Sequence, residues 1–222
     1  SAKPQKQACS CHLLCLTGAV KGMLFKTHML IKAILTAAFI YCKNLESVFI
    51  PDSVTIIGKF AFNTCRKLST ITIPSSVTSI GESAFENCDS LTSVEIGDSV
   101  TSIGKYAFEY CSSLTSVEYK GSIDSWVEIE FGSYSNPIYY AENLYIDGEL
   151  ATDLIIPDTV KSIGMHAFSN CSTLDNVRIP SEITEIAARM FMNCTSLKTI
   201  ELNDKITKIG FSAFNGCWAL EA

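Results

Sequence analysis

The sequence predicts a repeat solenoid: a β-rich right-handed coil with a parallel sheet on one face, short 3₁₀ or α turns on the other, and one irregular insertion that carries a hairpin. Three observations predict it. Phenylalanines recur every 23 residues, at Phe39, Phe62, Phe85 and Phe108 and again at Phe168, Phe191 and Phe214. Three residues after each stands a cysteine (Cys42, Cys65, Cys88, Cys111, Cys171, Cys194, Cys217), and three further on a leucine (Leu45, Leu68, Leu91, Leu114, Leu174, Leu197, Leu220). The stretch Val77–Tyr119, VTSIGESAFENCDSLTSVEIGDSVTSIGKYAFEYCSSLTSVEY, says nearly the same thing twice.

The full unit reads L..V.IP.SV..IG..AF..C, and each part has a physical reading. A period of about 20–29 residues around an L..L.L-like core marks a leucine-rich coil, which cannot bury its apolar face alone. In LTSVEI the alternation around Val94 and Ile96 is a half-buried strand. Pro or Gly ends it, at Pro51, Pro74, Gly97, Pro157 and Pro180. SVTSIG carries Val100 and Ile103 inward on a second extended piece, and Gly104 is expected to permit the next bend. AFEYC is too short for an independent helix and reads as one turn of 3₁₀ or α structure facing inward. Stacked coils then lie about 4.8 Å apart, so every apolar column becomes a continuous ridge.

Composition fits one elongated domain. At 222 residues and 47% hydrophobic, the chain can bury a large core. Its net charge of -6 is uneven: residues 1–42 hold five lysines and no acid, leaving 12 basic against 23 acidic residues beyond. So acidic a body argues against a nucleic-acid partner, which needs a basic stripe. No run of apolar residues reaches the about 18 needed to span a membrane.

The cysteines read as core, not as bridges or ligands. Side chains in one slot of successive coils point the same way. Their Cβ atoms then stay about 4.8 Å apart, beyond the usual disulfide limit of about 4.5 Å. A buried thiol acts as a small hydrophobe and can meet a turn carbonyl, whereas a zinc set must converge on a point. In CSCHLLC, Cys9, Cys11 and Cys15 with His12 could bridge or bind metal, but no second ligand pair follows at suitable spacing. No cofactor is expected.

The period breaks once, within Tyr119–Pro157. The break holds Trp126, Tyr134, Tyr139, Tyr140 and Tyr145. NLYIDGELATDLII reads as a hairpin, with Asp147-Gly148 supplying the positive φ of a type I′ turn. The aromatic residues Trp126, Tyr134, Tyr139 and Tyr140 either form a binding patch or fill the joint between coils of unequal length. The resulting divisions are 1–37, a degenerate cap or leader; 38–118, repeats; 119–153, the aromatic insertion; and 154–222, repeats truncated at the C-terminus.

The unit IPSSVTSIGESAFENCDSLTSVEI resembles the BspA-like (Treponema-type) leucine-rich repeat family over residues 38–118 and 154–220. The insertion also resembles a segment of such proteins, W..I.F followed by NP and LYI.GE. The resemblance implies an extracellular or cell-surface protein without enzymatic activity that binds host or extracellular proteins through its solenoid surface. A structural spacer is the alternative. The partner-facing residues would alternate with buried strand positions: Ser47 and Phe49, Thr70 and Thr72, Ser93 and Glu95, Ser116 and Glu118, Asp153 and Ile155, Asn176 and Arg178, Thr199 and Glu201. Thr55, Thr78, Thr101, Thr184 and Thr207 form a second outward column, read as a structural threonine ladder.

Catalysis finds little support. Only His12, His28 and His166 exist, and His166 occupies a variable slot expected to face solvent. No nucleophile elbow or phosphate loop is present. Glu128 and Glu130 read as alternating solvated charges on a strand. The terminal ridge of Ala213, Phe214 and Cys217 lacks a following strand, so homo-association through an uncapped C-terminal face is expected.

Overall fold

The computed structural model describes residues 23–24 and 31–221. CSCHLLC, His12 and His28 lie outside them, as does most of the proposed leader.

Two parallel ladders run along the coil because each repeat supplies two extended pieces. One ladder joins Thr70–Ile73, Ser93–Ile96, Ser116–Tyr119 and Asn143–Ile146 in register. The other joins Ala33–Ile34, Ile56–Ile57, Ser79–Ile80, Ser102–Ile103 and Glu130–Phe131. Within the insertion, therefore, Glu130–Phe131 and Asn143–Ile146 keep ladder positions and build one longer, irregular coil. Glu128, expected on a strand, instead closes the short helix Ile123–Val127. The hairpin forms as expected: Asn143–Ile146 pairs antiparallel with Glu149–Leu150, and Asp147 and Gly148 have φ of 49° and 85°. Beyond it Asp153–Ile155, Asn176–Arg178 and Thr199–Glu201 form a separate parallel sheet, and Glu185–Ile186 pairs with Lys208–Ile209.

The AF..C segment is not helical. The residues before Ala and before Cys take positive φ in coil after coil, for example Phe60 at 56° and Thr64 at 62°, Ser83 at 53° and Asn87 at 59°. Single three-residue turns, such as Ala61 N–H to the Gly58 carbonyl, thus alternate with left-handed residues and never accumulate into a helix. The reversal frees the N–H groups of Phe60, Phe62 and Thr64 to donate to Glu82, Ala84 and Glu86 of the next coil. Inter-coil hydrogen bonds displace the intrahelical ones that the sequence alone suggests.

The glycine of most units, replaced by Leu35 and Ala187 in two, also has a different role from the expected bend. A Cβ on Gly81 would lie 2.6 Å from the Lys59 nitrogen, and one on Gly104 would lie 2.5 Å from the Glu82 nitrogen. Glycine is required there because adjacent backbones nearly touch, not because of its φ.

The core is a line of stacked columns. Phe39, Phe62, Phe85 and Phe108 stack nearly parallel with centroids 5.0–5.2 Å apart, and Phe168, Phe191 and Phe214 repeat this at 5.6–5.7 Å. Cys65, Cys88, Cys111, Cys171, Cys194 and Cys217 are free. As the column argument expected, the Cys65, Cys88 and Cys111 thiols meet turn carbonyls, those of Phe39, Phe62 and Phe85, at 3.2–3.3 Å. Cys42 departs from that reading, being disulfide-bonded. None of the other six column cysteines is its partner, so the parallel-column geometry itself stands. Burial pushes the Cys65 and Cys111 thiols up to about 12, which leaves them protonated and unreactive at neutral pH. Native protein at pH 8 is expected to leave Cys65, Cys88, Cys111, Cys171 and Cys194 unmodified by a thiol reagent over minutes and to react at all five after denaturation. Rapid native labelling, located by peptide mapping, would contradict the packing.

Candidate functional site

Two places gather side chains that face outward. The first is the sheet face. Because side chains alternate along a strand, Val94 and Val117 point into the core while Ser93, Glu95, Ser116 and Glu118 point out, half-exposed. With Thr70, Thr72 and Tyr145 they line a hollow of about 420 Å³, and Gly148 of the hairpin turn closes one end. Lys120, which the strand pattern alone does not single out, bridges Glu95 at 3.3 Å and also pairs with Glu118. Such partly exposed pairs are worth at most about 1 kcal/mol, and they orient charge more than they stabilise.

The remaining predicted residues lie elsewhere. Phe49 is 47% exposed beside the first sheet, and Ile155, 66% exposed, stands with Asn176, Arg178, Thr199 and Glu201 on the second. There the Thr199 hydroxyl donates to Asn176 Oδ1 at 2.6 Å, and Arg178 lies 3.8 Å from Asp158. The face read from sequence as one surface is divided, because the hairpin's antiparallel strand occupies the edge where the next parallel strand would pair. The threonine column behaves as a ladder: Thr78 and Thr101 each donate to the carbonyl of the threonine one coil back, at 3.2 Å.

The second place is the junction between the stacks. Trp126, expected as a possible patch residue, is fully buried and cannot meet a partner. Its ring packs against Tyr119 and Phe131 at 5.3 Å, and its Nε1 donates to the Ala167 carbonyl at 3.0 Å. In the regular coils that alanine carbonyl accepts the preceding phenylalanine's N–H. At the junction Asn136 stands in the phenylalanine slot and donates through Nδ2 to His166 and Ala167 carbonyls at 2.9 and 3.3 Å. Two side chains thus satisfy the Ala167 carbonyl, which the regular ladder would have served.

On the outer side of this joint Tyr134, Tyr139, His166, Arg189 and Ser135 line a cavity of about 200 Å³. Tyr134 and Tyr139 meet nearly at right angles with centroids 6.2 Å apart, while Tyr140 is half-buried beside Tyr139. The sequence pairs these tyrosines with no cation. The fold brings Arg189, 50 positions beyond Tyr139, to the same wall. His166, expected to face solvent, is half-buried here. Burial, together with the nearby Arg189 charge, lowers its pKa and keeps it neutral at pH 7. Among the described residues no group of three His, Cys, Asp or Glu could hold a metal ion, and no helix is long and apolar enough to cross a membrane.

Comparison with known proteins agrees with this architecture. A leucine-rich repeat protein from Bacteroides ovatus superposes with a TM-score of 0.59 at 29% identity, covering 92% of this chain and 48% of that one. The T. pallidum leucine rich repeat protein gives 0.50 at 26% identity, covering 91% of this chain and 78% of that one. The pneumococcal vaccine antigen PcpA, at 20% identity and a TM-score of 0.50 over 86% of this chain and 59% of that one, shares the fold. The chain spans about half the length of the Bacteroides protein. No curated protein matches it. The family model for the BspA type leucine rich repeat region matches six copies, over residues 32–136 and 141–222, and so includes most of the irregular coil. By period, by coil geometry and by this match, the chain belongs to the BspA type leucine-rich repeat family.

Proposed function

We propose that the chain is a non-enzymatic binding module that acts at the cell surface or outside the cell, holding host or extracellular proteins on its sheet face. One observation carries this reading. Outward residues vary along the solenoid, from Thr70 and Thr72 to Ser93 and Glu95, repeated at Ser116 and Glu118, and then to Asn176 and Arg178, over inward positions that stay apolar. Such a scaffold varies its surface without disturbing its packing. The hollow there is walled by Tyr145 and keeps one net negative charge from Glu95 and Glu118 after their pairing with Lys120. Rigid aromatic walls in a concavity are favoured anchor sites, and the acidic floor suits a basic partner segment.

The test is solid-phase binding of the purified chain to a panel of extracellular-matrix and serum proteins, alongside Glu95→Arg/Glu118→Arg. Reversing two partly exposed charges is expected to weaken capture at least tenfold, equivalent to about 1.4 kcal/mol, with the melting temperature almost unchanged. If none bound, the chain would be a spacer rather than a binding module; equal capture by wild type and variant would mean that partners do not meet this hollow.

A further inference from the structure

We propose that the cavity at the coil junction is a binding site for one ring of a carboxylated sugar, separate from the sheet face. It exists because the repeat fails there: Ser135 and Asn136 occupy the Ala and Phe slots of their coil, and the succeeding turn is held through side chains instead of the usual backbone ladder. Its wall is open where a regular coil would be sealed.

Four features select the ligand. The first is charge. The chain has 23 acidic residues, yet among the described residues none lines this cavity, and the one permanently ionised group there is Arg189. Among the described residues Arg189 has no carboxylate partner; its guanidinium lies 5.9 Å from the centre of the exposed Phe211 ring. A planar guanidinium is matched by a carboxylate, which it can grip with two parallel hydrogen bonds. The second is shape. Tyr134 and Tyr139, 81° apart, make a corner of two aromatic faces, and Tyr134 is itself backed by Tyr106 at 6.1 Å. Such a corner offers apolar faces to the C–H groups of a flat ring while leaving both phenol hydroxyls at its edge.

The third is an unmet demand. Ser135 is 1% exposed, and its hydroxyl has no hydrogen-bond partner among the described residues. A buried hydroxyl left unpaired is costly and rare, and a ligand hydroxyl entering the cavity would relieve it. Neutral His166 adds both a donor and an acceptor to the same wall. The fourth is size. A volume of about 200 Å³ falls below the roughly 300–1,000 Å³ typical of pockets for drug-sized ligands. It admits a single ring with its substituents, not a chain of them. A phosphorylated aromatic side chain fits less well, because its dianion would meet only one cation. A plain aromatic side chain would leave Ser135 and His166 without partners.

The experiment is saturation-transfer NMR and calorimetric titration of the whole chain with glucuronic acid, galacturonic acid, the methyl ester of each, and phosphotyrosine. Both acids are expected to bind about tenfold more tightly than their esters, the contribution of one charge-assisted fork. Arg189→Gln should erase that preference and leave the fold intact by circular dichroism. Ser135→Ala should weaken acid and ester alike, yet leave the melting temperature equal or raised, since it removes an unpaired buried hydroxyl. A merely structural serine would not produce that combination. Glu95→Arg/Glu118→Arg should leave sugar binding unchanged, which keeps this site distinguishable from the sheet face. Absence of sugar binding at millimolar concentration, preference for phosphotyrosine, or an acid preference surviving Arg189→Gln would each overturn the proposal.

Discussion

Phe85→Ala is expected to cost about 3–5 kcal/mol of unfolding free energy, the usual range for emptying a buried phenylalanine site. Phe85 is fully buried, and its ring lies between Phe62 at 5.2 Å and Phe108 at 5.1 Å. Collapse around the hole is resisted because the backbone on both sides is held by inter-coil hydrogen bonds, Phe62 N–H to Ala84 and Phe85 N–H to Ala107. Cys88→Asp should be at least as damaging, by about 3–5 kcal/mol if the carboxylate stays ionised and unpaired. The Phe62 carbonyl that accepts from the thiol would repel an anion, and the nearby Asp89 charge adds to that repulsion. Denaturant unfolding of both variants beside Thr72→Ser, an exposed control, checks the assignment of inward and outward positions. Equal midpoints for all three would show it wrong.

Trp126→Ala is expected to produce the second large effect, of a different kind. It empties a fully buried site and removes the Nε1 donor from the Ala167 carbonyl, a loss of about 3–5 kcal/mol from the cavity alone. Repeat arrays are stabilised by nearest-neighbour interfaces, and this interface joins two stacks whose sheets are not continuous. Scanning calorimetry should therefore show the single transition separating into two, one for the coils before the junction and one for those after it. Trp126→Phe, which keeps most of the ring and loses the hydrogen bond, should cost about 1 kcal/mol and keep one transition. A single unshifted transition in Trp126→Ala would mean that the stacks are joined by something other than this side chain.

The two substitutions probe features of unequal legibility. Phe85 can be assigned inward from spacing alone, since the same residue type recurs at a fixed interval and a solenoid has one interior. The hairpin was equally readable, because Asp147-Gly148 states its turn type in two residues. Trp126 could not be assigned that way. Its partner lies 41 residues on, and one aromatic residue in an irregular segment fits a surface patch and a joint equally well. The turn segment keeps its three-residue turns but does not become helical, for a related reason: the choice between intrahelical and inter-coil hydrogen bonds depends on a neighbour that local propensity does not include. Glycine's place in the unit is plain in the sequence, yet its cause, a preceding coil so close that a Cβ would lie 2.5–2.6 Å from its backbone, appears only when coils are stacked.

By itself the sequence determined the coil, its period, its inward columns, the free-thiol packing of Cys65 to Cys111 and the hairpin. These depend on a pattern that each repeat states locally and the next repeat reinforces. Only the tertiary structure decided how the two stacks meet, why the sheet face divides, and which distant residues share the junction cavity. Tyr139 and Arg189 line one wall although no period relates them. Where the repeat holds, one coil's environment is a copy of the last and can be read in advance; where it fails, contacts are set by how unequal surfaces fit, and that is a property of the assembled coil.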